Sequence, residues 1–161
     1  GAGNGKVKGL VYVAAFAPDH GENALDLTGQ FPGSTLGERV RPYPLGDGTN
    51  DLVVERALFP DQFAADVPLE VAKLSALTQR PIRDYALGEG LPAETPAWKT
   101  LPSWFVYGTG DKNIPEAGLA FMAERAGSRG TRVIDGASHS VMVSNPGAVA
   151  ELIKTALAEL A

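Results

Sequence analysis

The chain has 161 residues, of which 44% are hydrophobic and 20% charged, which are ordinary values for one globular domain. Its net charge of −5, without any basic block, argues against nucleic-acid binding, and no apolar run approaches the roughly 20 residues that span a membrane. Cysteine is absent, which excludes disulfides, thiolate metal sites and cysteine nucleophiles. With only two histidines and no acidic cluster, we expect neither a metal site nor a cofactor.

The chain opens with a glycine-containing segment, Gly1–Lys6, that superficially resembles a phosphate-binding loop. The glycine spacing does not fit such a loop, Val7 stands where Ser or Thr is required, and no strand precedes it. We interpret the segment as a loop or helix end. It leads into a strand predicted over Val7–Ala15, whose continuous apolar character after Gly9 predicts burial on both faces.

Between Asn23 and Pro96, prolines and glycines interrupt short mixed segments, which is typical of an insertion and not of a continued sheet. A β-hairpin is predicted from Arg39–Leu45 and Asp51–Val54, with its prolines on an edge.

Three short helices are predicted in the same insertion, over Ala57–Ala65, Leu69–Thr78 and Pro81–Leu87. Asp66 is predicted to cap the second helix, with Pro68 in its first turn. The predicted apolar side of that helix consists of Leu69, Ala72, Leu74 and Leu77.

Two strand-and-turn units follow the insertion. Ser103–Tyr107 is a predicted buried strand, and Asp111 lies in the turn after it. A helix over Glu116–Ala126 leads to a second strand, Thr131–Ile134, and His139 lies in the loop after that strand. Because the carboxyl ends of parallel strands meet at one edge of a sheet, we expect the acid and the histidine to be neighbours. An Asp bonded to a His ring fixes its tautomer and stabilises the imidazolium, so the pattern predicts two members of a catalytic triad.

The chain ends in a helix predicted from near Pro146 to Leu160, with Ser144 or Asn145 as its cap. Its predicted apolar face consists of Val149, Leu152, Ile153, Ala156, Leu157 and Leu160.

The turn GTGDKNIP after one strand and the loop DGASHSVMVSNP after the next resemble the closing part of an α/β-hydrolase. The chain is similar to small bacterial esterases and to the plant esterase and hydroxynitrile lyase group, from Lys6 to its end. The resemblance implies an α/β fold that corresponds to the C-terminal part of an α/β-hydrolase, with three parallel strands and flanking helices. It also implies a hydrolase core in residues 1–22 and 97–161 and a mainly helical cap, with the small hairpin, in residues 23–96.

The activity that this resemblance implies is hydrolysis of a small, fairly apolar carboxylic ester. His139 would be the general base and then the general acid, and Asp111 would orient it. Some α/β-hydrolases take the acid from a position equivalent to Asp19, which is therefore an alternative, whereas His20 is interpreted as a solvent-facing loop residue.

Four apolar residues are expected to line a substrate cavity that opens toward the catalytic histidine: Phe59, Phe63, Leu77 and Met142.

A serine nucleophile on a G-x-S-x-G turn is missing from the sequence. The stretch Gly33–Gly37 mimics the motif but has Thr35 at its centre, and Ser138 and Ser140 adjoin His139 too closely in sequence for good geometry. We therefore expect the serine and the oxyanion hole on an N-terminal segment of the same hydrolase, which would also cover the open edge of the first strand.

Other functions stay open at this point. The same fold supports hydroxynitrile lyases, perhydrolases and hydrolase-like proteins that only bind ligands. Some of the related lyases carry lysine directly after the catalytic histidine, and Ser140 at that position favours ester hydrolysis. We further expect a cytoplasmic protein without a nucleic-acid or membrane partner, and possible homodimers.

Overall fold

The computed structural model describes residues 3–161, so the opening glycine segment lies partly outside the described residues. Within them, the strands are β1 (Leu10–Val13), β2 (Val40–Pro44), β3 (Asn50–Val54), β4 (Ile82–Arg83), β5 (Ser103–Gly108) and β6 (Gly130–Ile134). The helices are α1 (Ala24–Gly29), α2 (Phe59–Phe63), α3 (Leu69–Thr78), α4 (Asp84–Gly88), α5 (Glu116–Arg125), α6 (Val141–Ser144) and α7 (Pro146–Leu160). Short 3₁₀ turns cover Leu36–Glu38 and Ala97–Lys99.

A parallel three-stranded sheet in the order β1-β5-β6 forms the framework of the chain. In its register Leu10 lies opposite Ser103, and Trp104 lies opposite Gly130. Helix α5 is the crossover connection that the parallel pairing of β5 and β6 requires, and α7, which follows the last strand, packs on the other face of the sheet. The predicted α/β class and the three parallel strands are confirmed.

Strand β5 is buried along its whole length because it lies at the centre of the sheet and contributes to two hydrophobic clusters. Trp104 and Val106 pack on one face with residues of α7, while Phe105 and Tyr107 pack on the other face with residues of α5. Successive strand side chains point to opposite faces, so burial on both faces requires the unbroken apolar run that the sequence shows.

The first strand is shorter and less buried than predicted. It spans four residues in place of Val7–Ala15, and all four are partly exposed, because within residues 3–161 it pairs only with β5. Ala14 then ends the strand with a left-handed backbone at φ 43°, while its N–H still bonds to the carbonyl of Val106 at 2.9 Å. Such a conformation is strained for a residue with a Cβ atom.

Helix α7 was predicted correctly in extent, but its buried face is narrower than the predicted one. Val149, Leu152 and Ala156 are buried, whereas Ile153 and Leu157 are exposed. The predicted six-residue face therefore overestimates the part of the helix that the sheet covers.

The segment comprising residues 23–96 has a small sheet and a buried cluster of its own. The predicted hairpin is present as β2 and β3, and the short strand β4 adds a third antiparallel strand that the sequence did not reveal. The cluster consists of Val54, Phe59, Ala64, Val67, Ala72 and Ala76.

The two ends of the 23–96 segment meet at a narrow neck. Gly21 and Glu22 exchange backbone hydrogen bonds with Leu91, each at 2.9 Å. Close by, the Trp98 indole N–H donates to the carbonyl of Pro18 at 2.9 Å. The division of the chain into a core and a cap remains a prediction, and these contacts support it.

Helix α3 turns a different face inward from the one predicted. Ala72 and Ala76, which are four residues apart, are buried, whereas Leu69, Leu74 and Leu77 are exposed. Small side chains on the inner face let the helix approach its neighbours closely, so the leucines are left on the outer face. Helical periodicity alone did not identify this choice, because both faces contain apolar residues.

We expect Ala76→Leu to lower the free energy of unfolding by about 1–3 kcal/mol, because the larger side chain overpacks a filled site. Leu77→Ala on the same helix is the matched control and should change that free energy by less than about 0.5 kcal/mol. Urea unfolding of the three proteins measures both values. A larger loss for Leu77→Ala than for Ala76→Leu would contradict the orientation of α3.

Candidate active site

Asp111 and His139 form a hydrogen-bonded pair between the loops that follow β5 and β6. The His139 Nδ1 atom lies 2.7 Å from Asp111 Oδ2. The Asp111 side chain is 0% exposed and the His139 side chain 22% exposed. The predicted contact between these residues is confirmed, whereas their catalytic roles remain a prediction.

Backbone donors hold the carboxylate in position. The second Asp111 oxygen accepts hydrogen bonds from the N–H groups of Asn113 at 2.8 Å and Ile114 at 3.0 Å. With Asp111 ionised, His139 donates its Nδ1 proton to it, and the Nε2 lone pair is left as the basic site of the ring. Within the described residues 3–161, Nε2 has no hydrogen-bond partner.

Two glycines allow the Asp111 loop and the His139 loop to approach closely. A Cβ atom at Gly108 would overlap the carbonyl oxygen of Ala137, and one at Gly110 would lie 2.8 Å from the carbonyl oxygen of Gly136. In this arrangement the N–H of Gly110 donates to the carbonyl of Ala137 at 3.0 Å. Asp111 and His139 can therefore meet because the residues at the two points of closest approach, Gly108 and Gly110, have no side chain.

The alternative acid, Asp19, is bound elsewhere. Its carboxylate lies 2.6 Å from Lys99 Nζ, and this hydrogen bond is the main reason that the pKa of Asp19 is lowered from its ordinary value. His20 is exposed and contacts Asp19 through its backbone N–H. In this structure Asp111, and not Asp19, is the carboxylate on His139.

A largely apolar cavity of about 810 Å³ lies beside the pair, and His139 is part of its wall. Phe59 and Phe63 also line it. The Phe63 ring meets the His139 ring edge-on, with centroids 5.0 Å apart and planes at 87°, and stacks on Phe59 at 5.0 Å. These two phenylalanines therefore line the cavity next to His139, as predicted, whereas their role in substrate binding remains a prediction.

Leu77 and Met142 need correction, because neither of them lines the cavity. Leu77 is 62% exposed, since α3 turns its alanine face inward. Met142 is 44% exposed although it belongs to the short helix α6 just after His139, whose buried residue is Val141. Sequence proximity to the histidine was therefore a misleading indicator for Met142.

Gln62 connects the 23–96 segment to the Asp111 loop through side-chain hydrogen bonds. This role of Gln62 was not identified from the sequence. Its side chain is buried, and its Nε2 atom donates to the Lys112 carbonyl and to Asn113 Oδ1, both at 2.9 Å. Its Oε1 atom accepts from the Thr35 hydroxyl at 2.9 Å. The one available signal was a glutamine within a helix that is otherwise mostly apolar.

A second set of contacts fastens the same segment to the His139 loop. Asp66 Oδ1 accepts from the N–H of Ser138 at 3.1 Å, and the carbonyl of Phe63 accepts from the N–H of Ser140 at 2.9 Å. Asp66 is thus not the predicted cap of α3, whose N-terminal position is occupied by Pro68 without a side-chain cap. Burial tends to raise the pKa of Asp66, but hydrogen bonds from Ser138 and Ser144 outweigh it, and the pKa is lowered.

A nucleophile is not found among the described residues 3–161. None of their serine or threonine hydroxyls hydrogen-bonds to His139. The Thr35 hydroxyl is committed to Gln62, and the buried Ser138 hydroxyl accepts from the N–H of Ser140 at 3.3 Å. The expectation that a serine comes from a preceding segment therefore remains a prediction.

Residues 3–161 contain no group of three or more His, Cys, Asp or Glu side chains that could hold a metal ion. None of their helices is both long enough and apolar enough to cross a membrane.

Comparison with solved structures identifies proteins of the same fold. The crystal structure of polyneuridine aldehyde esterase matches with a TM-score of 0.73 and 17% identity, over 94% of this chain and 63% of that one. A methylesterase from Arabidopsis gives a TM-score of 0.70 and 20% identity, over 94% and 59%. A pyrethroid hydrolase from Sphingobium faniae JZ-2 gives 0.66 and 21%, over 92% and 60%. The chain thus spans about three fifths of the length of these proteins.

Sequence comparisons complete the assignment. No curated protein matches the chain significantly. The model of the alpha/beta hydrolase family matches residues 1–152. The match includes both loops of the Asp111–His139 pair and the whole of the 23–96 segment. The chain therefore belongs to the alpha/beta hydrolase family.

Proposed function

We propose that the chain is the part of a serine esterase that supplies the general base and its orienting acid. The observation that carries the proposal is the buried Asp111–His139 pair on the wall of an apolar cavity. An acid that is inaccessible to water and is held by two backbone donors can fix a histidine in one tautomer. An Asp–His pair that only stabilises the fold would not require a cavity next to its histidine.

In the proposed mechanism, His139 takes the hydroxyl proton of a serine on Nε2 as the serine attacks the ester carbonyl. Asp111 stabilises the imidazolium that forms, and His139 then gives the proton to the departing alkoxide. Water attacks the acyl-enzyme in the second half of the reaction, again with His139 as the base. Backbone N–H groups near the serine would stabilise the oxyanion.

The serine and the oxyanion hole are proposed to lie on an N-terminal segment of the same hydrolase. Three observations support this proposal. No hydroxyl among residues 3–161 bonds to His139, and the structurally similar proteins are longer than this chain. Strand β1 also has a free edge within the described residues, which a further strand could pair with.

The proposed substrate is a small, fairly apolar ester. The cavity supports this choice by its volume of about 810 Å³ and its predominantly apolar wall. Proteins of the same fold are named as polyneuridine aldehyde esterase, a methylesterase and a pyrethroid hydrolase, which makes ester cleavage a consistent choice. A cytoplasmic location and a homodimer remain part of the proposal, and no specific observation favours lyase or perhydrolase chemistry.

In the hydrolase assembled with its serine-bearing segment, His139→Ala should lower kcat for p-nitrophenyl esters by about 10³-fold or more, because triad members act as a unit. Asp111→Asn should cost about 10⁴-fold, because the amide favours the wrong tautomer of His139. His20→Ala is the matched control: it removes the only other histidine, which lies on an exposed loop, and should leave the rate unchanged.

Retention of esterase activity in His139→Ala, or an equal loss in His20→Ala, would contradict the proposed base. Absence of both ester turnover and fluorophosphonate labelling in the assembled, folded hydrolase would instead indicate a protein that only binds ligands.

We expect Phe63→Ala to change the ratio of kcat/KM for long and short acyl esters by about tenfold, because it reshapes the cavity next to His139. Leu77→Ala, which lies outside the cavity wall, should leave that ratio unchanged. Rates across a series of p-nitrophenyl esters, with melting temperatures in parallel, provide the measurement. Equal rate losses for all esters that follow a lower melting temperature would assign Phe63 to packing alone.

A further inference from the structure

Among the described residues 3–161, the wall of the cavity contains one side chain with a permanent charge, Arg80. Apart from Arg80 and His139, the wall consists of neutral residues, most of them apolar. Arg80 comes two residues after the end of α3, and it is exposed. An arginine at the boundary of an apolar cavity can bind a carboxylate through two parallel hydrogen bonds while the rest of the ligand stays in the apolar part.

Ring contacts, one shared buried cluster and two hydrogen bonds lead from His139 along the cavity wall to Gln79, the residue before Arg80. His139 touches Phe63, and Phe63 stacks on Phe59, which shares a buried cluster with Val54. The backbone N–H and carbonyl of Val54 bond to the side chain of Gln79, the residue before Arg80. The reacting end of the cavity and the charged side chain are therefore on different parts of its wall, with apolar residues between them.

Arg80 forms no ion pair with any carboxylate of residues 3–161. Its near neighbour Arg83 contrasts with it, because Arg83 lies 3.4 Å from Asp47 and 3.8 Å from Asp51. The guanidinium of Arg80 is thus available to an anion, in a chain whose net charge of −5 otherwise disfavours anionic ligands. Binding of an anionic ligand would therefore require a local attraction to a cation that outweighs its repulsion by the net negative charge of the chain.

We propose that Arg80 selects ligands that carry a carboxylate at the end remote from the ester, such as monoesters of dicarboxylic acids. This inference rests on the proposed function for the ester end of the ligand, which lies against His139. The methylene chain of the ligand crosses the apolar part of the cavity, and the carboxylate meets the guanidinium of Arg80. Neutral diesters of the same length bind more weakly because they lack this ion pair.

Calorimetric titration of the full chain tests the inference without turnover. The probes are the mono-N-methylamides of adipic, suberic and sebacic acid, which resist ester hydrolysis, and the neutral bis-N-methylamide of each acid. At an ionic strength of about 0.01 M the best-fitting anionic probe should bind about fivefold more tightly than its neutral counterpart, as expected for an exposed ion pair. At about 1 M salt the preference should disappear.

Arg80→Gln should abolish the preference for the anion and leave the affinity for the neutral probe unchanged, and Arg80→Lys should restore part of it. Arg56→Gln, at an exposed arginine outside the cavity wall, is the matched control and should keep the full preference. Equal affinities for the two probes in the parent protein, no binding of any probe, or a preference that survives Arg80→Gln would overturn the inference. Because no step of this test requires catalysis, loss of esterase activity in an assembled enzyme would contradict only the proposed function.

Discussion

The close contact between the loop after β5 and the loop after β6 is the constraint on which the candidate site depends. Gly108 and Gly110 lie so near the backbone of Gly136 and Ala137 that no side chain fits between them. The contact is fixed by backbone hydrogen bonds, including one from Gly110 to Ala137. The Asp111–His139 hydrogen bond is a consequence of this packing, because neither side chain is long enough to bridge loops that lie farther apart.

The same two loops also form hydrogen bonds to the 23–96 segment. Gln62 bonds to the Asp111 loop, and Asp66 bonds to the His139 loop through Ser138. Each of these anchors lies within α2 or a few residues after it, next to Phe59 and Phe63 of the cavity wall. Hydrogen bonds from α2 and the residues just after it therefore connect the cavity wall to the loops of the Asp111–His139 pair. A shift of α2 would disturb both the cavity wall and the pair.

The sequence was informative where the signal is local. The buried run of β5, the turn with Asp111 and the loop with His139 are each encoded by adjacent residues, and the neighbourhood of the two loops follows from the general rule for parallel sheets. The orientation of α3 was not predictable, because Ala72 and Leu74 are both apolar and only tertiary packing decides between them. Gln62 was missed and Asp66 was wrongly predicted as a helix cap for a related reason, since their partners at Asn113 and Ser138 are distant in sequence.

The neck at Gly21, Glu22 and Leu91 has a consequence for how such a chain can evolve. An insertion whose two ends lie side by side can be lengthened, shortened or exchanged while the strands it separates keep their register. Under the proposed function, substrate range would then diverge by replacement of the 23–96 segment, provided that the new segment again supplies partners for the Asp111 and His139 loops. Homologous chains should accordingly differ most between the two sides of this neck, and the acid–histidine pair should persist beneath insertions of unrelated architecture.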